Sequence, residues 1–319
     1  MADKGRDVGH EARRDEDAVL IAGPTASGKS ALAQSLAERT GGVIINADSM
    51  QVYVDLRIIT ARPTIEEEAR ADHLLFGTVD GAVNFSVGHW LRAVTELIAT
   101  LRAENKLAIL VGGTGLYFKA LTQGLSAIPA VSADIRDRLR AETEGLAPEA
   151  IHARLAKIDP RAAEKLRPSD PQRCLRALEV MVATGRSLLD WQGETRVPPL
   201  LDVTRCVAVF LSVERPLLRE RINRRFEAMM ESGAMDEVMA LKARGLDPAL
   251  PVMRAHGVPG LIAYREGQLS LAEAIAKGQA DTRAYAKRQE TWFRHQLAGF
   301  EALSPEAAAS RLSHIKPQR

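Results

Sequence analysis

The sequence predicts an α/β fold: a parallel sheet core with helices on both faces, interrupted once by a helical insertion domain. Three observations carry this. Apolar runs of strand length alternate with helical patterns up to about residue 130. From 131 to 199 the rhythm changes to consecutive helical patterns, punctuated at the end by Pro198-Pro199. Cys206-Val207-Ala208-Val209-Phe210-Leu211 then brings one more buried strand back to the sheet. At 319 residues the chain has ample length for such a core and its insertion.

In chain order, Met1 to Asp17 is charged, lacks an apolar centre and reads as a disordered tail. Ala18–Ala22 is the first strand. It leads into Gly23-Pro24-Thr25-Ala26-Ser27-Gly28-Lys29-Ser30, a complete G-x-x-x-x-G-K-[ST] loop, and then a helix over Ser30–Arg39. A strand, a glycine loop and a helix N-terminus in series aim backbone N–H groups at an anion, which makes the core P-loop NTPase-like. Lys29 reaches outer phosphates, and the Ser30 hydroxyl suits a Mg²⁺ ligand. Residues 42–48 form a second strand ending in Asp48, residues 86–104 a long helix, and Leu107–Val111 a further strand ending in Gly112-Gly113-Thr114-Gly115. Ligands of parallel sheets sit at the carboxyl ends of strands, where the loop, Asp48 and Thr114 all fall. The insertion is read as helices over 132–143, 148–157, 160–166, 171–184 and 187–191. The core is expected to occupy 18–130 and 200–300, with helices only after the Cys206 strand. Residues 301–319 are read as a flexible tail, with at most a short frayed helix over Pro305 to Leu312.

Composition excludes more than it selects. The 43 basic residues nearly match 41 acidic ones, so a net charge of +2 supplies no general attraction for nucleic acid, and any such surface must be local. Cys174 and Cys206 form neither a metal-ligand spacing nor a disulfide framework, which suits a reducing cytoplasm. No run approaches the roughly 18 apolar residues that span a membrane.

Asp48 leaves two roles open on residue chemistry alone, ligand to Mg²⁺ or general base. Nearby Gln51, in Asp48-Ser49-Met50-Gln51-Val52-Tyr53, has the amide for paired hydrogen bonds to an adenine edge. The Gly112-to-Gly115 turn lets backbone approach a ligand, or is a tight turn with Thr114 capping the next helix. Arg215, Arg219, Arg221, Arg224 and Arg225 share one helix, on which Ile222 and Phe226 mark the packed face. Most read as a solvated face, and one turned toward the loop would clamp a leaving diphosphate. Gln172-Arg173-Cys174-Leu175-Arg176 opens a helix with Leu175, Leu178 and Val182 inward, leaving Gln172, Arg173 and Arg176 for a surface pair or a nucleic-acid backbone. Over Thr282–Arg294, Arg283 and Lys287 make a basic stripe four residues apart.

Together the motifs at 23–30, 48–53, 112–117, Asp170-Pro171-Gln172-Arg173 with Arg176-Ala177-Leu178-Glu179, and 282–294 resemble one family, the tRNA dimethylallyltransferases or tRNA isopentenyltransferases. They stand in family order from residue 18 to about 297. The resemblance implies transfer of a dimethylallyl group from dimethylallyl diphosphate to N6 of the adenosine just 3′ of the anticodon, with Mg²⁺. It implies Asp48 as general base, Arg225 as the diphosphate arginine, Thr25 on the bridging oxygen and Thr114 lining the channel. It assigns Ser49, Met50, Gln51, Arg136, residues 172–176, Arg283 and Lys287 to the tRNA anticodon stem-loop. A cytoplasmic monomer is expected, and the rival is a kinase using the same loop on ATP. The chain departs from the family pattern at Ile59, where a glycine is common, at Arg62, where lysine is common, and at Arg254-Ala255-His256-Gly257-Val258-Pro259, which lacks the usual tyrosine. His256 there reads as a loop histidine.

Overall fold

The computed structural model describes residues 16–194 and 196–317. The expected N-terminal tail lies outside the described residues up to residue 15. Its last residue, Asp17, is anchored instead: its N–H donates to Arg205 O at 2.8 Å and its carboxylate pairs with the Arg205 guanidinium at 2.9 Å.

The chain divides into two compact units, one running to Thr122 and resuming at Leu200, the other Gln123–Pro199. The first is built on a parallel sheet of β1 (Ala18–Ala22), β2 (Val43–Asn46), β3 (His73–Leu74), β4 (Ala108–Gly112), β7 (Cys206–Leu211) and β8 (Glu301–Leu303), in the order β3-β2-β4-β1-β7-β8. The remaining strands, β5 (Leu125–Ser126) and β6 (Arg196–Val197), pair antiparallel in the second unit. Central β1 registers Ile21 against Val111 on one side and Val209 on the other.

All of β1 is buried, so it shows no polar alternation, as a strand covered on both faces must. Its alternate residues divide between two cores. Val19 and Ile21 pack with Ala33, Leu36 and Ala37 of α1 (Lys29–Thr40). Ala18, Leu20 and Ala22 face the other layer, with Trp90, Val94 and Ile98 of α3 (Val87–Ala103) and Tyr117, Phe118 and Leu121 of α4 (Gly115–Gln123). The short α2 (Ile65–Glu68) opens on a Thr64–Glu67 capping box. A third core joins Val52, Tyr53, Leu56 and Ile59 to α10 (Arg215–Glu231), α11 (Ala234–Ala243), α12 (Val258–Arg265) and α13 (Leu271–Gln296).

The C-terminal segment corrects the sequence reading twice. Strands do follow β7, because Glu301–Leu303 extends the sheet as β8. Residues 301–317 are also no loose tail, since α14 (Pro305–Ser313) buries Ala308 and Leu312, and Ile315 just beyond it is buried too. Those positions follow helical spacing, and Ser304 caps the helix through the Ala307 N–H. Arg39 then ties the end down by donating to the carbonyls of Leu312 at 2.7 Å and Ile315 at 2.5 Å.

The second unit holds α5 (Ala133–Thr143), α6 (Pro148–Ile158), α7 (Pro160–Lys165), α8 (Pro171–Thr184) and α9 (Leu188–Glu194) around Ile151, Leu155, Cys174, Ala177, Leu178 and Val180. It begins at Gln123 rather than 131 because the β5–β6 ladder closes its base. The inward face of α8 differs from the expected one. Cys174, Ala177 and Leu178 are buried, Leu175 is half-buried, and Val182 is exposed.

Candidate active site

The site gathers at the carboxyl ends of β1, β2 and β4. After β1 the chain turns through Ala26, held at φ 62°, and Gly28, at φ 95°, before α1 begins. A left-handed alanine is strained. It is retained by packing against the small core of Val213, Leu218, Ile222 and Ala286. Gly23 must lack a side chain, because a Cβ there would lie 2.8 Å from the Ser27 Oγ and 3.1 Å from the Leu211 Cβ. Ser27 is buried and Ser30 exposed at the helix start. Lys29 Nζ donates to Pro24 O at 3.2 Å, within its own loop. Burial pushes the Lys29 ammonium down to about 8. Asp48 opposes that shift, and Arg225 adds to it. Lys29 therefore lies within the fields of both groups.

Proton uptake should accompany anion binding here. Below pH of about 8 Lys29 is charged and inorganic diphosphate should bind fully. As pH rises through that value the free protein loses the charge, and affinity should fall by up to about tenfold per unit. Calorimetry in buffers of different ionisation enthalpy measures both effects. An affinity level from about pH 7 to about 9.5 would count against the assignment.

Asp48 ends β2 on a turn built by its neighbours. The buried Asn46 side chain accepts from Asp48 N–H at 2.8 Å and donates to Asp48 O at 2.9 Å. Asp48 Oδ1 accepts from the Met50 N–H at 2.9 Å. The N–H of Ser49 donates to Thr114 Oγ1 at 2.9 Å, and that hydroxyl donates to Ser49 Oγ at 3.2 Å. The Thr114 hydroxyl thus joins the two strand ends instead of capping α4. Gly112 permits this approach, since a Cβ there would lie 2.0 Å from Ala47 O.

Arg225 is placed by its neighbour. Phe226, Ile222 and Leu218 form the buried stripe of α10, and the Phe226 ring sits where a Gly278 Cβ would be 2.3 Å away. Arg225 and Arg221 flank that stripe half-buried, whereas Arg215, Arg219 and Arg224 are exposed. Burial lowers the Arg225 pKa, and Asp48 and Glu67 oppose the shift. Arg224 pairs with Glu220 and Arg215 with Glu290, while no ion pair engages Arg225 among the described residues.

Helix α13 contributes residues that sequence reasoning did not single out. Gln289 accepts from the Thr25 N–H at 3.1 Å and donates to Gly113 O at 2.8 Å. Tyr285, one turn earlier, has its hydroxyl within reach of Thr114 and Gln289. Burial first, and Asp48 second, hold it protonated well above the usual tyrosine range. His256 is a loop histidine as expected, in the turn before α12, and its ring lies 4.9 Å from the Tyr285 ring. Burial, then Arg288, lower its basicity. These residues lay within quoted motifs, but only their convergence on Thr25, Thr114 and Asp48 distinguishes them.

Other expected contacts are engaged elsewhere. Gln51 Nε2 donates to Thr60 O and Ala61 O, both at 2.8 Å, so its amide donor is spent on the chain and not free for an adenine edge. Met50 packs into the third core. Ile59 avoids the left-handed region; Ala61 takes it, at φ 53°, and the Glu237 carboxylate collects the N–H groups of Arg57, Ile58 and Ile59. Arg62 is buried and donates to Tyr53 O at 3.1 Å. Arg283 donates to Asn223 Oδ1, and Lys287 is exposed. In the second unit, taken by itself, Cys174 is fully buried with its thiol on Arg167 O at 3.7 Å, which removes it from any contact surface. Gln172 and Arg173 are exposed, Arg176 pairs with Glu179 at 3.3 Å, and half-buried Arg136 donates to Val131 O.

Residues 51–296 match the model of a family described as IPP transferase. The chain is 63% identical to the tRNA dimethylallyltransferase of Methylocella silvestris, over 91% of this chain and 96% of that one. It is 62% identical to that of a Methylobacterium species, over 91% and 95%. Among solved structures, a tRNA isopentenylpyrophosphate transferase from Bacillus halodurans superposes with a TM-score of 0.66 at 35% identity, over 94% and 95% of the two chains. A eukaryotic dimethylallyltransferase acting on tRNA superposes with a TM-score of 0.73 at 26% identity, over 93% and 75%.

Proposed function

The chain belongs to the IPP transferase family, and we propose that it transfers a dimethylallyl group from dimethylallyl diphosphate to N6 of the adenosine just 3′ of the anticodon in tRNA. The observation that supports the mechanism is that the Asp48 turn bonds through Ser49 to Thr114 at the end of β4, the strand end that Gln289 also joins to the phosphate loop.

The reaction breaks the bond between the allylic carbon and the diphosphate oxygen and forms one from that carbon to N6. One N6 proton must leave. The exocyclic amine is a poor nucleophile, since its lone pair is delocalised into the ring, and in this reading Asp48 is the carboxylate that takes that proton. Negative charge grows on the departing diphosphate. Lys29, Arg225, the loop N–H groups and the α1 N-terminus stabilise it where it develops. Thr25, half-buried in that loop, is assigned in this reading to the bridging oxygen. Thr114 and Ser49 line the approach of an adenine that has left its stack.

Magnesium fits as an ion completed by substrate. Ser30 offers one hard oxygen at the α1 N-terminus, and no cluster of three or more His, Cys, Asp or Glu forms a metal site among the described residues. Mg²⁺ takes few protein ligands and fills its shell with water and phosphate oxygens, so a lone hydroxyl beside a diphosphate suits it. When bound it would supply further neutralisation of the leaving group. Arg136, Gln172, Arg173 and Arg176, with Arg283 and Lys287 of the first unit, remain the proposed contacts to the anticodon stem-loop. The helices offer no segment long and apolar enough to cross a membrane among the described residues. A monomer in the cytoplasm, where tRNA is modified, completes the proposal.

Purified protein incubated with Mg²⁺, dimethylallyl diphosphate and unmodified tRNA should add one five-carbon unit to one adenosine. Mass spectrometry of the digested tRNA reads this directly. No mass gain, with ATP hydrolysed or its phosphate transferred instead, would assign the loop to a kinase.

A further inference from the structure

We propose that Gln289 is a positioning residue that couples the leaving-group loop to the adenosine side of the site. The inference rests on the transfer reaction proposed above and concerns a residue with no expected part in it. Gln289 is 5% exposed, and its planar amide spans two segments far apart in sequence. Its oxygen accepts from the Thr25 N–H of the loop, and its nitrogen donates to the Gly113 carbonyl at the end of β4. Gly113 precedes Thr114, whose hydroxyl holds Ser49, and Ser49 follows Asp48. A short bonded path therefore runs from the residue placed at the bridging oxygen to the residue placed as base.

The chemistry demands glutamine. One end must accept and the other donate, within one rigid plane. A glutamate would set a second acceptor against the Gly113 carbonyl, and a methionine would leave a buried N–H and a buried C=O unpaired. The seat is cut to the amide as well. A Cβ on residue 113 would lie 2.1 Å from the Gln289 nitrogen, so the glycine there makes room for this bond as well as for the turn. Loop and base must hold the allylic carbon and N6 at reacting distance, and a misplacement of about 1 Å can cost about a hundredfold. A strut between the two sides fixes that distance.

Gln289→Met is the test, with Gly113→Ala as a second variant that displaces the same amide from the opposite side. In steady-state assays with tRNA and dimethylallyl diphosphate, each should lower kcat at least about tenfold. Affinity for inorganic diphosphate, measured by calorimetry, should stay within about threefold, because the remaining loop N–H groups and Lys29 are untouched. The double variant should be no slower than the slower single one, since both remove one connection. A Gln289→Met protein with lowered Tm but unchanged kcat would reduce the residue to a core-satisfying role and overturn the proposal. Multiplicative losses in the double variant would overturn it too. Failure of the transfer reading shows separately, as a wild-type protein that never prenylates tRNA.

Discussion

Asp48→Asn should slow dimethylallyl transfer at least about a hundredfold while leaving diphosphate binding largely intact. The substitution is nearly isosteric. An asparagine oxygen can keep the Met50 N–H bond, and the Asn46 bonds go to the backbone of residue 48, so the turn should survive. What is lost is the negative charge that accepts the N6 proton. The charge also acts on Lys29, whose proton Asp48 helps to retain, so its removal lowers the Lys29 pKa further from its usual value. The comparison should be made as a pH series running well below 8, so that loss of the Lys29 charge shows as a pH-dependent part of the difference. Single-turnover rates with preloaded dimethylallyl diphosphate separate the two effects. A rate within a few-fold of wild type would remove Asp48 from the base role.

Arg225→Ala should cost about a hundredfold to a thousandfold in kcat, the range seen when one preorganised donor to a developing anion is deleted. The loss belongs in kcat more than in binding, since charge on the leaving oxygens is greatest as the carbon–oxygen bond breaks. Stability should change little. The guanidinium makes no ion pair among the described residues, and the packing of α10 rests on Leu218, Ile222 and Phe226. Arg224→Ala is the matched control: it is exposed and paired with Glu220 on the same helix, and its kcat should stay within about twofold. Equal losses in the two variants would mean that the field of the whole helix matters, and not one clamp.

These two residues were legible to different degrees. Asp48 stands out in the sequence because it ends a buried strand that follows a phosphate loop, and parallel sheets place such ends together. Arg225 does not stand out by itself. Five arginines crowd one helix, and helical spacing assigns them to stripes without saying which stripe faces the loop. Packing decides it, through the contact of Phe226 with Gly278. The missed edge of the sheet has a similar cause. Glu301–Leu303 is too short and polar to read as a strand, and it becomes one only because β7 offers a free edge in register. Residues 308, 312 and 315 did carry a helical apolar pattern. What the sequence does not show is the surface they pack on, which Arg39 of α1 closes by donating to the Leu312 and Ile315 carbonyls.

What is local can be read from residue order: the glycine loop after β1, the strand that leads to Asp48, the turn of glycines at 112–115 and the helical insertion. Each depends on residues adjacent in the chain, whose φ/ψ preferences and apolar period are written in their order. The tertiary structure alone decided what those groups face. It spent the Gln51 amide on Thr60 and Ala61, sealed Cys174 beneath its helix, brought His256 against Tyr285 and set Gln289 between Thr25 and Gly113. Orientation of this kind is fixed by close packing and by the need of buried polar groups for partners, and the partners lie far away in the chain.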